Sequence, residues 1–198
     1  FLAKQTRLTF ARCGIVDPLS LDDYRAHGGL KGLARAKEIG PTATVELVTQ
    51  SGLRGRGGAG FPTGIKWKSA ADAAGARKYI VCNADEGDSG TFADRMIMEG
   101  DPFVVIEGMT IAGVAVGATK GYIYIRSEYP HAVEAMNAAI SASLWLNETT
   151  PASCTRIAAI AAEIGSVFIA AAISSRRLPR HCPSVISSEC GPPRLRIF

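Results

Sequence analysis

The spacing of apolar and polar residues predicts alternating helices and strands over the first 140 residues. Helices are expected from Ser20 to about Gly28 and over Lys31–Ile39, Thr42–Gln50, Ile65–Ala74, Phe103–Val116 and Tyr129–Ile140. The runs KYIVCN (78–83) and GYIYI (121–125) have the β-branched and aromatic content of buried strands. This element order indicates an α/β fold with parallel strands.

The pattern ends near residue 140, and the composition changes at the same place. Residues 141–198 contain six arginines but no lysine or aspartate, and they hold three of the five cysteines. We therefore divide the chain into a helical lead-in (1–44), an α/β domain (45–140) and an aberrant tail (141–198). The tail is expected to be irregular or helical and is interpreted as the product of a shifted reading frame.

Composition excludes several classes of protein. With 47% hydrophobic residues the chain is not disordered, and its net charge of +4 is too small to indicate a nucleic-acid partner. The apolar run 157–173 is short and contains Glu163, so we do not expect a membrane span. Cys154, Cys182 and Cys190 lack metal-ligand spacing, so no metal site is predicted. A cytoplasmic location is expected for the chain.

The first candidate site is a glycine-rich loop at residues 51–64. Gly55, Gly57 and Gly60 match G-x-G-x-x-G, but the preceding segment reads as a helix, which argues against a standard dinucleotide-binding turn. Exposed backbone N–H groups in such a loop bind anions. Three cationic side chains lie in or beside the loop, Arg54, Arg56 and Lys66. Phe61 and Trp67 offer flat apolar faces. A nucleotide-like cofactor is the favoured ligand, and a flexible surface linker is the alternative.

The second candidate site is an acidic loop at residues 83–91, directly after the first strand. Ligands of open α/β sheets bind at the carboxyl ends of strands. Asn83 can donate to and accept from a heteroaromatic ring, and the carboxylates of Asp85, Glu86 and Asp88 can accept from sugar hydroxyls. A solvated turn is the alternative, since Asp, Gly and Ser are common turn residues.

The two loops together resemble one family. The segments SGLRGRGGAGFPTGIKW (51–67) and CNADEGDSGTFADR (82–95) are similar to the FMN- and NADH-binding subunit of respiratory complex I and to diaphorase subunits of NAD-reducing hydrogenases and formate dehydrogenases. The similarity covers about residues 45–140. The lead-in and the second loop look most like the formate dehydrogenase β subunit. The resemblance implies a Rossmann-like layered sheet with helices on both faces, truncated here.

The resemblance also implies roles for the matching residues. The FMN phosphate and ribityl chain would be wrapped by Gly55, Arg56, Gly57 and Gly58, with Lys66 beside the flavin. The polar atoms of the isoalloxazine and ribityl groups would be held by Asn83, Asp85 and Glu86. Phe61 would stack on the adenine of NADH. Asp88 stands where complex I members usually have Glu. The shorter acid agrees with the formate dehydrogenase branch of the family.

The implied reaction is reversible hydride transfer between NAD(H) and FMN, with no residue acting as general acid or base. Electrons would pass to or from iron–sulfur clusters, and the implied partners are iron–sulfur and molybdenum subunits. The alternatives are a complex I or hydrogenase subunit, or a non-catalytic remnant. The family's GAGAY…GEET segment and its cysteine ligands for a 4Fe-4S cluster do not occur in this sequence.

The frame-shift hypothesis for residues 141–198 makes a prediction about the coding DNA. One of the other two reading frames after codon 140 is expected to encode the GAGAY…GEET segment. Sequencing and translating that DNA in all three frames is the measurement, with codons 45–140 as the in-frame control. If neither alternative frame encodes the segment, the hypothesis is wrong.

Overall fold

The structure, a computed structural model, describes residues 4–56, 59–75, 77–143 and 156–162. Within these ranges the chain forms six helices and three strands. They are α1 (Leu21–Ala26), α2 (Lys31–Gln50), α3 (Thr63–Asp72), β1 (Tyr79–Ala84), α4 (Ala93–Gly100), α5 (Pro102–Val116), β2 (Lys120–Arg126), α6 (Pro130–Ser143) and β3 (Arg156–Ala162). The predicted α/β class is confirmed.

The strands form a parallel sheet in the order β1-β2-β3. The register pairs Ile80 with Gly121 and Ala84 with Ile125, so the carboxyl ends of β1 and β2 lie side by side. Both crossovers contain helices, as parallel pairing requires. The acidic loop after β1 and the segment from β2 to α6 therefore leave the sheet at the same end, the carboxyl end of the strands.

The main core lies on one face of this sheet. Ile123 and Ile125 of β2 are fully buried and pack with apolar residues of α4, α5 and α6, among them Met98, Phe103 and Met136. On the other face, the rings of Tyr79 and Tyr122 lie 6.0 Å apart and stay half-buried. We expected helices on both faces, and the helices that build the main core occupy one.

One helix of the structure was not predicted, and two predicted helices are joined. The helices predicted on either side of Gly40 run together as α2 across a kink at the predicted break, where Gly40 has a φ of 82° ahead of Pro41. Helix α4 was not predicted, because its N-cap residue, Phe92, has no side-chain oxygen and adopts a left-handed φ of 52°.

The expectation for the tail is wrong over one segment. The residues of β3 were expected to be irregular or helical, and they pair with β2 in parallel from Arg156 to Ala162. Their alanine-rich sequence has little intrinsic preference for a strand, and pairing with the free edge of β2 outweighs that preference. The remaining tail residues, 144–155 and 163–198, lie outside the described residues, including Cys154, Cys182 and Cys190.

Glu107 ties the helical lead-in to the core. It is buried in α5, and its carboxylate accepts hydrogen bonds from Leu30 N (2.8 Å) and Leu33 N (2.9 Å) at the start of α2. The Tyr24 hydroxyl donates to the same carboxylate. Burial and the Glu107 hydrogen bond raise the pKa of Tyr24, so this hydroxyl keeps its proton. One side chain of α5 thus fixes both α1 and α2.

Replacing Glu107 by Ala is expected to lower the free energy of unfolding by about 3 kcal/mol, because the Tyr24 hydroxyl and two helix N–H groups lose their buried acceptor. Urea unfolding measures the change. The control is Glu38→Ala, which removes an exposed ion pair with Arg35 and should cost less than about 1 kcal/mol. Equal effects of the two substitutions would contradict the role given to Glu107.

Candidate functional site

The glycine-rich loop is closed by backbone hydrogen bonds. Gly55 N donates to Phe61 O and Thr63 N donates to Leu53 O, both at 2.9 Å. The guanidinium of Arg54 donates to Gly60 O at 3.1 Å, where Gly60 has a left-handed φ of 53°. A loop held at both ends in this way does not support the alternative of a flexible linker. Gly57 and Gly58 lie outside the described residues.

The loop delivers the chain directly into α3. The N-cap residue of this helix, Pro62, makes no side-chain cap hydrogen bond. Gly64 lies against α2 so closely that a Cβ would fall 2.2 Å from the Thr49 hydroxyl, so only glycine fits there. The loop therefore ends at a helix N-terminus whose position is set by packing, and that terminus carries the positive end of the helix dipole.

The side chains of this region divide into exposed and packed groups. Arg56, Lys66 and Phe61 are exposed, and Phe61 keeps 52% of its surface accessible. Trp67, which we expected to offer a face to a ligand ring, is half-buried and packs with Val45 and the end of α5. The aromatic group available to a ligand here is therefore Phe61.

The acidic loop is an ordered turn. Asn83, near the end of β1, accepts from Asp85 N at 3.1 Å through its side-chain oxygen, and Asp88 O accepts from the Thr91 hydroxyl at 3.0 Å. Asn83 and Asp88 are exposed, and Asp85 is half-buried. The carboxyl end of β1 therefore presents Asn83 and the acids on a turn with defined hydrogen bonds.

Glu86 has a structural role that the sequence did not indicate. It adopts a left-handed φ of 51°, and its carboxylate accepts from Asp94 N at 2.8 Å and Arg95 N at 3.2 Å. These are amides of the first turn of α4, so Glu86 supplies the cap that Phe92 cannot. Its predicted part in holding a cofactor stays a prediction.

Charged and aromatic residues from β2 and α6 adjoin Glu86, and sequence reasoning missed them. Arg126 Nη1 donates to Glu86 O at 3.1 Å, and the guanidiniums of Arg126 and Arg95 lie over the Tyr129 ring at 5.3 and 5.4 Å. Burial and the charge of Glu86 raise the pKa of Tyr129. The available signal was the polar run RSEY, directly after the second predicted strand.

The two candidate loops are tied to one packed unit. Trp67 of α3 and Ile80 of β1 pack against the same buried residues, Val45, Ala115, Val116 and Ala118. Among the residues that the structure describes, no group of three or more His, Cys, Asp or Glu side chains is arranged to hold a metal ion. No described helix is long and apolar enough to cross a membrane.

Comparison with known proteins identifies the family. Residues 48–164 match the Nuo51 FMN-binding domain, a range that contains both loops and the whole sheet. This chain belongs to the Nuo51 FMN-binding domain family. The match runs past Ile140, where we expected the resemblance to end, and so includes β3.

Individual relatives of the Nuo51-type chain agree with this assignment. The NADP-reducing hydrogenase subunit HndC of Solidesulfovibrio fructosivorans is 54% identical over 69% of this chain. An NADH-quinone oxidoreductase subunit of Escherichia coli is 42% identical over 63% of it. A crystal structure of an NAD+-reducing nickel–iron hydrogenase in its H2-reduced state is 40% identical over 61% of the chain, with a TM-score of 0.56.

This Nuo51-type chain is shorter than its relatives. It spans 28% of each of the two curated relatives and 21% of the hydrogenase chain.

The residues of the glycine-rich loop fit a phosphate-bearing cofactor. The N-terminus of α3 has no side-chain cap, and the sequence holds no acid between Glu46 and Asp72 to neutralise Arg56 and Lys66.

Asp94 provides a test of the electrostatics beside the acidic loop. Burial, and next the charge of Glu86, raise the pKa of its carboxyl. The folded state then binds more protons than the unfolded state. The free energy of unfolding therefore falls as the pH rises from the ordinary carboxyl pKa of about 4 through the raised pKa of Asp94 in the folded state. In Asp94→Asn this fall should be absent.

Urea unfolding of the wild type and Asp94→Asn at a series of pH values measures the difference. The stability of the variant relative to the wild type is expected to increase with pH across this range. Asp22→Asn, at an exposed position of α1, serves as the control and should follow the wild-type profile. Parallel profiles for Asp94→Asn and the wild type would show that the carboxyl is not destabilised by its surroundings.

Proposed function

We propose that this chain forms part of the FMN- and NAD(H)-binding site of a diaphorase subunit, which transfers a hydride between NAD(H) and FMN. The observation that carries the proposal is the family match across both loops, joined to an uncapped helix N-terminus beside two exposed cations, Arg56 and Lys66. Relatives named as NADH-quinone oxidoreductase and hydrogenase subunits support the same class of reaction. When bound, FMN supplies the redox chemistry.

The glycine-rich loop is proposed to bind the phosphate and ribityl chain of FMN. Backbone N–H groups of Gly55–Gly58 and the first turn of α3 suit an anion, although Gly55 N already donates to Phe61 O. Arg56 and Lys66 are exposed and add positive charge. Phe61, at the end of the loop, is proposed to stack on the adenine of NADH, for which its exposed face is suitable.

The acidic loop is proposed to orient the flavin ring. Asn83 and Asp85 lie where the chain leaves the carboxyl end of β1, and their polar atoms suit the ring edge and ribityl hydroxyls. Asp88 is proposed to lie toward the nicotinamide. The protein's contribution is to align the two rings, and none of these residues needs to transfer a proton.

The complex to which the chain belongs is a further proposal. We propose the β subunit of a cytoplasmic NAD-dependent formate dehydrogenase, with iron–sulfur and molybdenum subunits as partners. Asp88 and the lead-in sequence support it, whereas the relatives reported above are hydrogenase and NADH-quinone oxidoreductase subunits. Sequencing the neighbouring genes tests the choice. Genes for a hydrogenase or for complex I beside this one would overturn it.

Flavin binding by the purified chain tests the proposal directly. Added FMN should be retained on gel filtration with an absorbance band near roughly 450 nm, and NADH should bleach that band. A chain that retains FMN but is not bleached lacks the NAD(H) function. A colourless chain that rejects added FMN would support the alternative of a non-catalytic remnant.

Lys66 offers a specific test of the phosphate site. Lys66→Gln should weaken FMN binding by roughly ten- to a hundredfold, because a charge-assisted hydrogen bond contributes roughly 1.5–3 kcal/mol. The matched control is Lys68→Gln, two residues along α3, whose ammonium pairs with Asp72 at 2.8 Å. Titration of flavin fluorescence measures both. Equal affinities for the two variants would remove Lys66 from the site.

A further inference from the structure

A cluster around Glu86 joins the acidic loop to the ends of β2 and α6. Ala84, the last residue of β1, is in register with Ile125, so Arg126 extends one residue past the end of β1. From there Arg126 Nη1 reaches the Glu86 carbonyl at 3.1 Å. This contact spans 40 residues of sequence and meets the loop at Glu86, which has a left-handed φ.

Glu128 helps to orient Arg126. Its Nε and Nη2 donate to the two carboxylate oxygens of Glu128 at 3.4 and 3.3 Å. This leaves Nη1 for the Glu86 carbonyl. A planar guanidinium can make all three contacts at once, whereas a lysine ammonium has no fork to offer a carboxylate.

Tyr129 supports the same cluster from the start of α6. Only 7% of it is accessible, and the guanidiniums of Arg126 and Arg95 both lie over its ring. Arg95 is held in turn by Glu99 at 2.9 Å. Tyr129 thereby keeps Arg126 beside Glu86 and Arg95 at the start of α4, through cation–π attraction that strengthens where water is excluded.

Glu86 needs this support because of its backbone conformation. A left-handed φ is unfavourable for a residue with a Cβ and persists only where the surroundings impose it. The first turn of α4 holds the Glu86 carboxylate, and Arg126 holds its carbonyl. The turn from Asn83 to Asp88 is therefore held at Glu86 through both its side-chain carboxylate and its main-chain carbonyl. We call this pair of contacts the clamp.

We propose that Arg126 and Tyr129 are positioning residues that hold the acidic loop in its cofactor-binding conformation by clamping Glu86. The proposal rests on the proposed function for its consequence, which is tighter binding of FMN through Asn83 and Asp85. The clamp itself is a property of the chain and is measurable without a cofactor.

Hydrogen–deuterium exchange of the full chain without FMN tests the clamp. The variants are Arg126→Gln, Arg126→Lys, which keeps the charge but loses the fork, and Tyr129→Leu, which removes the ring over which both guanidiniums lie. The control is Arg35→Gln, which removes an exposed ion pair on α2. Arg126→Gln should speed exchange in peptide 83–95 about tenfold, with smaller increases for Arg126→Lys and Tyr129→Leu.

Peptide 102–116, from the buried helix α5, distinguishes local from global effects. Unchanged exchange in peptide 83–95 of Arg126→Gln, or an equal rise in both peptides, would overturn the proposal.

FMN titration then distinguishes failure of the clamp from failure of the proposed function. If the wild type binds FMN, Arg126→Gln should bind it about tenfold more weakly, and undiminished affinity refutes the positioning role. If the wild type rejects FMN, the proposed function fails, and the exchange data alone decide whether the clamp exists.

Discussion

The buried carboxylate of Glu107 is the contact on which the arrangement of the first half of the chain depends. Helix α2 begins at a residue that cannot cap it, because Leu30 has no side-chain oxygen and adopts a left-handed φ of 64°. Glu107 of α5 receives the amides of Leu30 and Leu33 in place of a local cap. Since α5 also packs on β1 and β2, the lead-in is fixed relative to the sheet through a residue 77 positions away in sequence.

The same solution occurs at the candidate site. Helix α4 also begins after an apolar residue with a left-handed φ, Phe92, and a distant glutamate, Glu86, receives the amides of its first turn. At both places the partial positive charge of a helix N-terminus is neutralised by a buried or half-buried acid from another element. The cap at α2 stabilises the scaffold, and the cap at α4 holds the loop that we propose contacts the flavin.

These two caps also mark what the sequence could reveal. The parallel strands, the buried helix α5 and both loops are predictable because their apolar patterns, Pro102 and the glycines act locally. Helix α4 and the roles of Glu86, Glu107 and Arg126 depend on contacts between residues far apart in sequence. Strand β3 belongs to the same class, because edge pairing outweighs local preference there. The kink in α2 is a local feature, since Gly40 and Pro41 separate two predicted helices at that point.

The geometry has a consequence for how the two loops tolerate change. The two ends of the glycine-rich loop are joined by backbone hydrogen bonds, Gly55 to Phe61 and Thr63 to Leu53, so this closure is a local property. The acidic loop depends on α4, β2 and α6 for the conformation of Glu86, so its shape reflects packing of the whole main core. Substitutions in that core should therefore disturb the acidic loop before the glycine-rich loop, because Ala84 and Ile125, at the carboxyl ends of β1 and β2, are members of that core.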